Sequence, residues 1–456
     1  ALKKYTIKYP GATDPRLTQD EDVLDTWFSS WLWPSEVFKG ISNPGNEDIR
    51  YYYPTSVLVT GQDIIFFWVA RMVMAGLEYE KQIPFKDVYF TGMVRDKQGR
   101  KMSKSLGNSP DLLELIDKYG ADAVRFGIMI SSPAGNDLLF DEASLEQGKF
   151  FNNKLWNALK LVKSWESKIS NDAAPEHFPM EWFGNRLKEA RASVDALMKE
   201  FRLSEALKMI YSLIWDDFCS WYLEWVKPGF EQPVHGKTYD RTVQYFEDLL
   251  QMLHPYMPFI TEEIYHLLKE QQDDLCIRQF SEAGAPDTAL LVSGARLKDD
   301  ITAVRDFRKK YNLKNTEQVA FYMNATANTA YAQTPLREDA FRILQKQTSL
   351  AHQPALAGDL PFIQNAQAHN QEIVVVSSDH QFSLYLDKQV DQSLQKEELL
   401  KDLDHLKGFL QAVEKKLANE RFLQNARPEV VALEKKKKSD AEEKIRVIED
   451  SLKNMK

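Results

Sequence analysis

The sequence predicts a multidomain chain: a parallel α/β segment, then an α-helical bundle, a small α/β domain and a C-terminal antiparallel coiled-coil hairpin. Three observations carry that expectation. Strand-like and helix-like runs alternate between residues 51 and 130, the order that parallel strands joined by crossover helices require. From about 140 to 275 apolar residues recur at spacings of three and four, as on the buried stripes of packed helices. Leu399, Leu403, Leu406, Leu410, Val413 and Leu417 then step by 4, 3, 4, 3 and 4, a heptad seam.

The elements follow in order. Residues 1–50 read as an irregular connective segment. Its turn signals are Pro10-Gly11, Asp14-Pro15 and Asn43-Pro44-Gly45, and only DVLDTWFSSWLW is expected to be ordered. In 51–135, VLVTG is strand-like and ends on Gly61, helical spacing begins at Asp63, and DVYFTGMV (87–94) is strand-like again. Ser109-Pro110-Asp111 reads as a cap with Pro at the first helical position, and LLELIDKYG follows, closed by Gly120. Residues 136–285 form the bundle, divided by Pro/Gly segments at 175–184 and 228–236. In 286–390, QVAFYM, EIVVVSS and FSLYL are strand-like among helices. In 391–456 the heptad seam breaks at NERFLQNARPE, and Pro428 is placed to begin a second helix. That helix carries Ala441, Ile445, Ile448, Leu452 and Met455, stepping by 4, 3, 4 and 3.

Composition excludes several classes. The 456 residues are 43% apolar and 27% charged, which is globular. Lys plus Arg number 58 against 67 Asp plus Glu, a formal net charge of −9, so no general basic coat serves nucleic acid. Any polyanion must be met by local patches. Cys219 and Cys276 are too few for a disulfide framework or a four-cysteine zinc site and point to a reducing compartment. The most apolar stretch, 64–77, contains Arg71 and is too short to span a bilayer, and the first residues lack an apolar signal core. A soluble, cytoplasmic chain with no membrane partner is expected.

The strongest chemical signal is KMSKS, residues 101–105, followed by LGN. Residues 95–104 hold Arg95, Lys97, Arg100, Lys101 and Lys104 against Asp96 alone. Lys101 and Lys104, three apart on a loop, suit a triphosphate whose charge grows on departing pyrophosphate, and Ser103 and Ser105 add hydroxyl donors. A solvated basic turn is the plainer alternative. No GxxxxGK[ST] loop is present, which disfavours a P-loop ATPase. Segment 296–314 holds Arg296, Lys298, Arg305, Arg308, Lys309, Lys310 and Lys314 against three Asp. It reads as a phosphate patch or as a solvated helix face.

GRKMSKSLGN resembles the second signature of the class I aminoacyl-tRNA synthetases. VTGQDIIFFWVARM (59–72) and DVLDTWFSS (22–30) are similar to active-site segments of the valyl branch of that family. YGADAVRFG, DFCSWYLEWVK and LHPYMPFITEEIY resemble blocks of its helical anticodon-binding region, and LANERFLQNARPEVV its C-terminal hairpin. The resemblance covers nearly the whole chain, in order. It departs in one respect. The eight histidines stand at 177, 235, 254, 266, 352, 369, 380 and 405, and none forms the family's HIGH-type motif. The resemblance therefore implies the C-terminal half of such an enzyme, without the first half of its Rossmann-type nucleotide-binding fold and without the editing domain.

The resemblance assigns residues. Gly61 and Asp63 would hold the adenosine ribose, Met93 and Val94 would meet adenine, and Lys101, Lys104, Ser103 and Ser105 would act on the triphosphate. Gly61 and Asp63 also fit a strand-end glycine and a helix cap. Trp27, Ile64 and Trp68 would line a valine pocket, with Ile64 and Trp68 four apart on one helix face; an aromatic stripe is otherwise plain core. For tRNA, Asn152, Asn153, Lys154 and Trp156, at the start of the first bundle helix, would meet the anticodon loop. Arg305 and Arg308, and Lys415, Lys416, Arg421 and Arg427 in the arm, would meet phosphates, with Lys435 to Lys438 near them. The implied activity is valine–tRNA ligation with ATP and Mg²⁺, tRNA-Val as partner, a monomer, no protein-bound metal, and a fragment inactive alone. An isoleucyl enzyme and a non-catalytic RNA-binding helical module are the alternatives. The isoleucyl reading sits badly with two scattered cysteines and a coiled-coil tail.

Overall fold

The computed structural model describes residues 21–454 except 133–134, 173–174, 230, 271–272, 281–283, 315–316, 318, 325–336, 352–370, 378–379, 387–391 and 420–427. It divides into two compact units. One comprises residues up to Leu115 with Ile128–Ser144 and Glu200–Ser204; the other comprises Ile116–Gly127, Leu145–Lys199 and the chain from Glu205.

In the first unit, residues 21–54 are more ordered than the turn signal at Asn43-Pro44-Gly45 suggests, while Pro10-Gly11 and Asp14-Pro15 lie outside the described residues. Helix α1 (Thr26–Ser30) is capped by Asp25, whose carboxylate accepts from Trp27 N at 2.7 Å. Two further short helices follow at Trp33–Glu36 and Glu47–Tyr52. Strand β1 (Thr55–Gly61) lies parallel to β2 (Phe85–Thr91), in register from Thr55↔Phe85 to Gly61↔Thr91. Parallel pairing demands a crossover, and the helical stretch between them supplies it. That stretch is not one α-helix. A 3₁₀ turn (Gln62–Ile64) leads into a π-helical turn (Ile65–Val69), then α2 (Ala70–Ala75), then a second π-helical turn (Gly76–Glu80). Val69, Met72 and Phe85 are its buried centre, with Leu58, Trp68 and Phe90 packed on them.

The strand read over 87–94 is interrupted. It stops at Thr91, and Val94–Arg95 (β3) pairs instead with Leu138–Leu139 (β4), also in parallel. Asp137 braces the new pairing: it accepts from Met93 N at 2.9 Å and pairs with Arg95, which ties this stretch to β4 rather than β1. Helix α3 (Leu112–Tyr119) starts later than the sequence suggests. Its first amides are capped by Asp111, which accepts from Leu113 N at 2.8 Å, so Ser109 is not the cap.

The bundle comprises α4 (Ala121–Ile130), α5 (Glu142–Lys163), α6 (His177–Lys199), α7 (Leu203–Ser212), α8 (Gly236–Leu253), α9 (Pro258–Leu268) and α10 (Thr288–Lys310). A ten-residue π-helical stretch, Leu213–Tyr222, extends α7 towards Leu223–Val226. The Pro/Gly segment at 175–184 does not break a helix: α6 runs through it, with Pro179 in its first turn, where a missing N–H costs nothing. Trp165, Trp182, Trp225, Phe183, Phe218 and Phe246 are fully buried between the helices. Gly294 lets α10 lie on α6, since a Cβ there would come within 2.0 Å of the Trp182 ring.

The last third holds a four-stranded sheet of β5 (Val319–Asn324), β6 (Leu350–Ala351), β7 (Gln371–Ser377) and β8 (His380–Leu386), ordered β6-β5-β8-β7. Helix α11 (Arg337–Thr348) lies between β5 and β6 in the chain, and only the β5–β6 pair is parallel. Helices α12 (Gln392–Leu417) and α13 (Pro428–Asn454) then pack along one another. Ion pairs Lys407–Glu449, Glu414–Lys438 and Lys416–Glu434 couple rising numbers in α12 to falling numbers in α13, an antiparallel sense. At about 1.5 Å per residue each arm is about 40 Å long. Val413, Ala441, Ile445 and Ile448 of the heptad pattern are buried in the seam.

Candidate functional site

The KMSKS loop is a built structure rather than a slack basic turn. Gly99 N donates to Asp96 O at 2.9 Å, closing a β-turn, and Arg95 and Lys101 bridge across it. The Asp96 carboxylate organises the loop. It accepts from Gln98 N (3.0 Å), Arg100 N (2.9 Å), Arg100 Nε (2.8 Å) and Asn108 Nδ2 (3.0 Å). These donors, that of Asn108 foremost, hold its pKa far below the usual carboxylate range. Asn108 works in both directions, since its Oδ1 accepts from Ser103 N at 2.9 Å. Ser103 and Ser105 share a hydroxyl contact of 3.2 Å, and Lys104 opens a 3₁₀ turn through Leu106. Lys101 is exposed, and among the described residues no carboxylate neutralises it. Lys97 is held by Asp141 at 2.9 Å, so it is a strut of the loop rather than a free cation. A cavity of about 350 Å³, lined by Asp96, Lys97, Met102, Asn108, Ser109 and Phe140, flanks the loop.

The other predicted residues of this unit are placed as follows. The Asp63 carboxylate folds back over Gly61, so near that a Cβ at 61 would meet Oδ1 at 2.6 Å. Both residues stand at the carboxyl end of β1, where parallel sheets bind ligands. Ile64 closes the 3₁₀ turn and Trp68 lies in the π-helical turn after it, so the two do not share a continuous α-helical face. Trp68 donates its indole N–H to Ser30 O at 3.1 Å and stacks on Trp33, whereas Trp27 stacks on Phe67. Trp27 and Trp68 thus belong to different ring pairs. The Met93 N–H and C=O are both taken, by Asp137 and Leu138 N, and Val94 O accepts from Met102 N.

Asn152, Asn153, Lys154 and Trp156 lie in the middle of α5, which begins at Glu142, not at its start. Asn152 Oδ1 is buried without a partner, Asn153 is exposed, and the Lys154 ammonium sits 5.1 Å above the Trp215 ring. Three cations of the basic segment 296–314 have partners within the fold, while Lys309 and Lys314 are exposed. Arg308 is only 5% exposed and donates to Glu317 O at 2.7 Å and to Lys314 O. Arg305 donates to Gln347 Oε1 at 2.8 Å and lies over Trp221. Lys298 joins the buried Asp217 at 2.5 Å, and Arg186 holds the other oxygen of that carboxylate at 2.8 Å. These cations act within the fold.

In the arm, Lys416 pairs with the buried Glu434 at 2.9 Å, and Lys437 and Lys438 also pair with glutamates. Their charge is therefore spent inside the hairpin rather than left free. Lys415, Lys435 and Lys436 are exposed, while Arg421 and Arg427 lie outside the described residues. Sequence reasoning missed Asp96, Asn108 and Asp137. A signal for the first existed in the Asp96-to-Gly99 spacing of a type I turn; for Asp137, remote in sequence from Met93 and Arg95, there was none.

Comparison with known proteins bears on all three regions. Residues 2–141 match the family described as tRNA synthetases class I (I, L, M and V). Residues 180–323 match the anticodon-binding domain of tRNA ligase, and 391–456 the valyl tRNA synthetase tRNA binding arm. A valine–tRNA ligase of Bacteroides fragilis is 47% identical over 96% of this chain and 49% of its own length. One from Parabacteroides distasonis is 46% identical over 99% of this chain and 50% of its length, and one from Chlorobaculum tepidum 34% identical over 96% and 50%. The chain thus spans about half the length of the curated relatives it matches. With three regions matched in one order and relatives of one kind along nearly all of its length, the chain belongs to the class I tRNA synthetase family, in its valyl branch.

Proposed function

We propose that this chain is the part of a valine–tRNA ligase that carries the KMSKS loop, the anticodon-binding bundle and the tRNA-binding arm. The single observation that carries this reading is the KMSKS loop itself, braced by Asp96 and Asn108 with Lys101 exposed, in a chain whose arm matches the valyl family. In the whole protein the valine carboxylate attacks the α-phosphate of ATP and forms valyl-adenylate. Pyrophosphate leaves against Lys101 and Lys104, with Mg²⁺ sharing its charge and the hydroxyls of Ser103 and Ser105 as donors. A terminal adenosine hydroxyl of tRNA-Val then takes the valyl group. No acid or base is needed from this chain, because positioning and charge stabilisation do the work.

In this reading, residues 51–135 are the second half of a Rossmann-type catalytic domain. Gly61 and Asp63 receive the ribose, Met93 and Val94 border adenine, and Trp27, Ile64 and Trp68 wall the valine site. Bulky walls exclude longer side chains, although one methylene is worth only about 1–3 kcal/mol. Residues 136–285 bind the anticodon stem-loop through Asn152, Asn153, Lys154 and Trp156, 286–390 are a small α/β domain, and 391–456 are a coiled-coil arm on tRNA. The protein works in the cytoplasm as a monomer.

The test uses the full-length protein and the chain side by side. The full-length protein should catalyse valine-dependent ATP–pyrophosphate exchange and charge tRNA-Val. Faster exchange with isoleucine than with valine would replace this reading by the isoleucyl one. The chain alone should bind tRNA but give no exchange, since none of its histidines forms an HIGH-type motif; steady exchange by the chain alone would overturn that expectation.

A further inference from the structure

The four-stranded sheet and α11 stand between the bundle and the arm in the chain, and α11 grips the bundle at two helix ends. We propose that this small domain is a bracket. Through Asp339, Arg342, Lys346 and Gln347 it fixes where the arm stands relative to the bundle, so that both engage one tRNA at once. The proposal rests on the tRNA-ligase reading above. All the elements it uses belong to the second compact unit.

The grip has two ends of opposite charge. The helical run that begins with α7 finishes at Leu223–Val226, and the last carbonyls of a helix lack partners within it. Lys346 Nζ donates to Trp225 O at 3.0 Å and to Lys227 O at 2.5 Å, and Gln347 Nε2 donates to Glu224 O at 2.8 Å. A cation thus stands at the negative end of a helix. Two turns earlier on α11, Asp339 takes the opposite part. Its Oδ2 accepts from Phe178 N at 3.2 Å, in the first turn of α6, where an anion is favoured. Arg342 donates to Asp339 Oδ1 at 3.0 Å and to Oε2 of Glu176, just before α6, at 2.8 Å. Residues 339, 342 and 346 are spaced by three and four, so one face of α11 carries the whole grip.

Below that face Ala340, Phe341, Ile343 and Leu344 are buried, and α11 packs on α6 and α10. The sheet adds a second fastening: Ser377 of β7 donates its hydroxyl to the buried Asp300 of α10 at 2.5 Å. The arm joins at the same strand, since α13 packs on β7. Beside this joint lies a cavity of about 600 Å³, lined by Phe307, Ile373, Val375, Leu399, Leu406 and Ile448. Leu399 and Leu406 are seam positions of α12, and here they face a hollow. The arm therefore takes its direction from the sheet, and the sheet from α11. An arm of about 40 Å is a long lever, and a tilt of about 15° at its root would carry its far end by about 10 Å. A shift of that size costs the simultaneous use of two binding surfaces.

The experiment uses the 456-residue chain with Cys276→Ser, which removes the exposed thiol. Nitroxide labels at Lys160→Cys on α5 and Ala432→Cys on α13, both exposed positions, report the bundle-to-arm distance by double electron–electron resonance. The labelled parent should give one narrow distribution. Lys346→Ala with Gln347→Ala, shown by circular dichroism to be folded, should give a broad one. The parent should bind tRNA-Val at least about tenfold more tightly than the isolated anticodon stem-loop, and the double variant should lose most of that gain while holding the stem-loop within about twofold. Asp339→Asn, at the other end of the grip, gives the same readings should the double variant fail to fold. A distribution that stays narrow, an unchanged affinity for whole tRNA, or equal losses for tRNA and stem-loop would overturn the bracket. If the parent binds tRNA no more tightly than the stem-loop, the tRNA part of the proposal falls with the reading of the arm, and the distance distributions separately decide whether α11 fixes it.

Discussion

Among single residues, Asp96 does more for the candidate site than any lysine, because it fixes the loop that presents them. Its folded pKa is depressed, so its contribution is complete above the unfolded value of about 4, declines below it and is lost only as pH falls through the much lower folded value. Hydrogen exchange should find the amides of Gln98 and Arg100 protected from pH 7 to well below about pH 4, because the folded carboxylate stays ionised there, and exposed only as pH falls through its depressed folded value. Asp96→Ala should expose them at pH 7, and protection that survives this change would mean that other contacts hold the loop. For the chemistry, Lys104→Ala in the full-length protein should slow adenylation by about 2.7–4 kcal/mol of barrier while valine binding holds. A rate within about threefold of the parent would remove Lys104 from the mechanism. Trp68→Ala should cost the chain about 2–3 kcal/mol, since a half-buried ring with an indole hydrogen bond is lost. In the full-length protein it should also raise the valine KM and relax exclusion of isoleucine; unchanged discrimination would make Trp68 ordinary core. The lysines and serines of this site were legible because a linear motif displays them. The bracing by Asp96 and Asn108 was not, because they bond to one another and to backbone amides that only the folded turn brings together.

Elements whose periodicity is clean were the easiest to read. The heptads of the arm, the three strand runs after residue 318 and most bundle helices carry their own pattern. The segment after Asp63 did not, because π-helical and 3₁₀ turns keep spacings close to those of an α-helix while rotating side chains onto other faces. Helix α10 was only partly legible for another reason. A count of its cations suggests a polyanion surface, but Lys298 and Arg308 answer acceptors that sequence spacing does not reveal. The α6–α10 contact also depends on what is absent. Gly294→Ala should destabilise the chain by about 1–3 kcal/mol, measured by urea unfolding, because the added methyl meets the buried Trp182. An unchanged midpoint would show that α10 shifts freely on α6.

At the scale of the whole molecule, a net charge of −9 means that the proposed tRNA binding depends on local cations rather than on overall charge. Deleting 393–456 should weaken tRNA binding and flatten the dependence of log affinity on log salt, by somewhat under one unit for each phosphate the arm had neutralised. Equal affinity and slope in the truncated chain would assign the arm to something else. Because Lys416 and Lys438 are already paired, Lys415, Lys435 and Lys436 should account for more of that slope than they do. The buried Glu434 then bears on distance. It sits one heptad before Ala441, at a seam position where an apolar residue is the norm, and Lys416 of the opposite helix neutralises it. Sliding α12 by one heptad, about 10 Å, would put Phe409 where Lys416 stands and leave the buried carboxylate with Lys437 of its own helix alone. Neighbouring alignments are thereby disfavoured, since each loses the Lys416–Glu434 pair. The hairpin becomes a ruler with one graduation, whose far end stands at a set distance from the sheet that roots it.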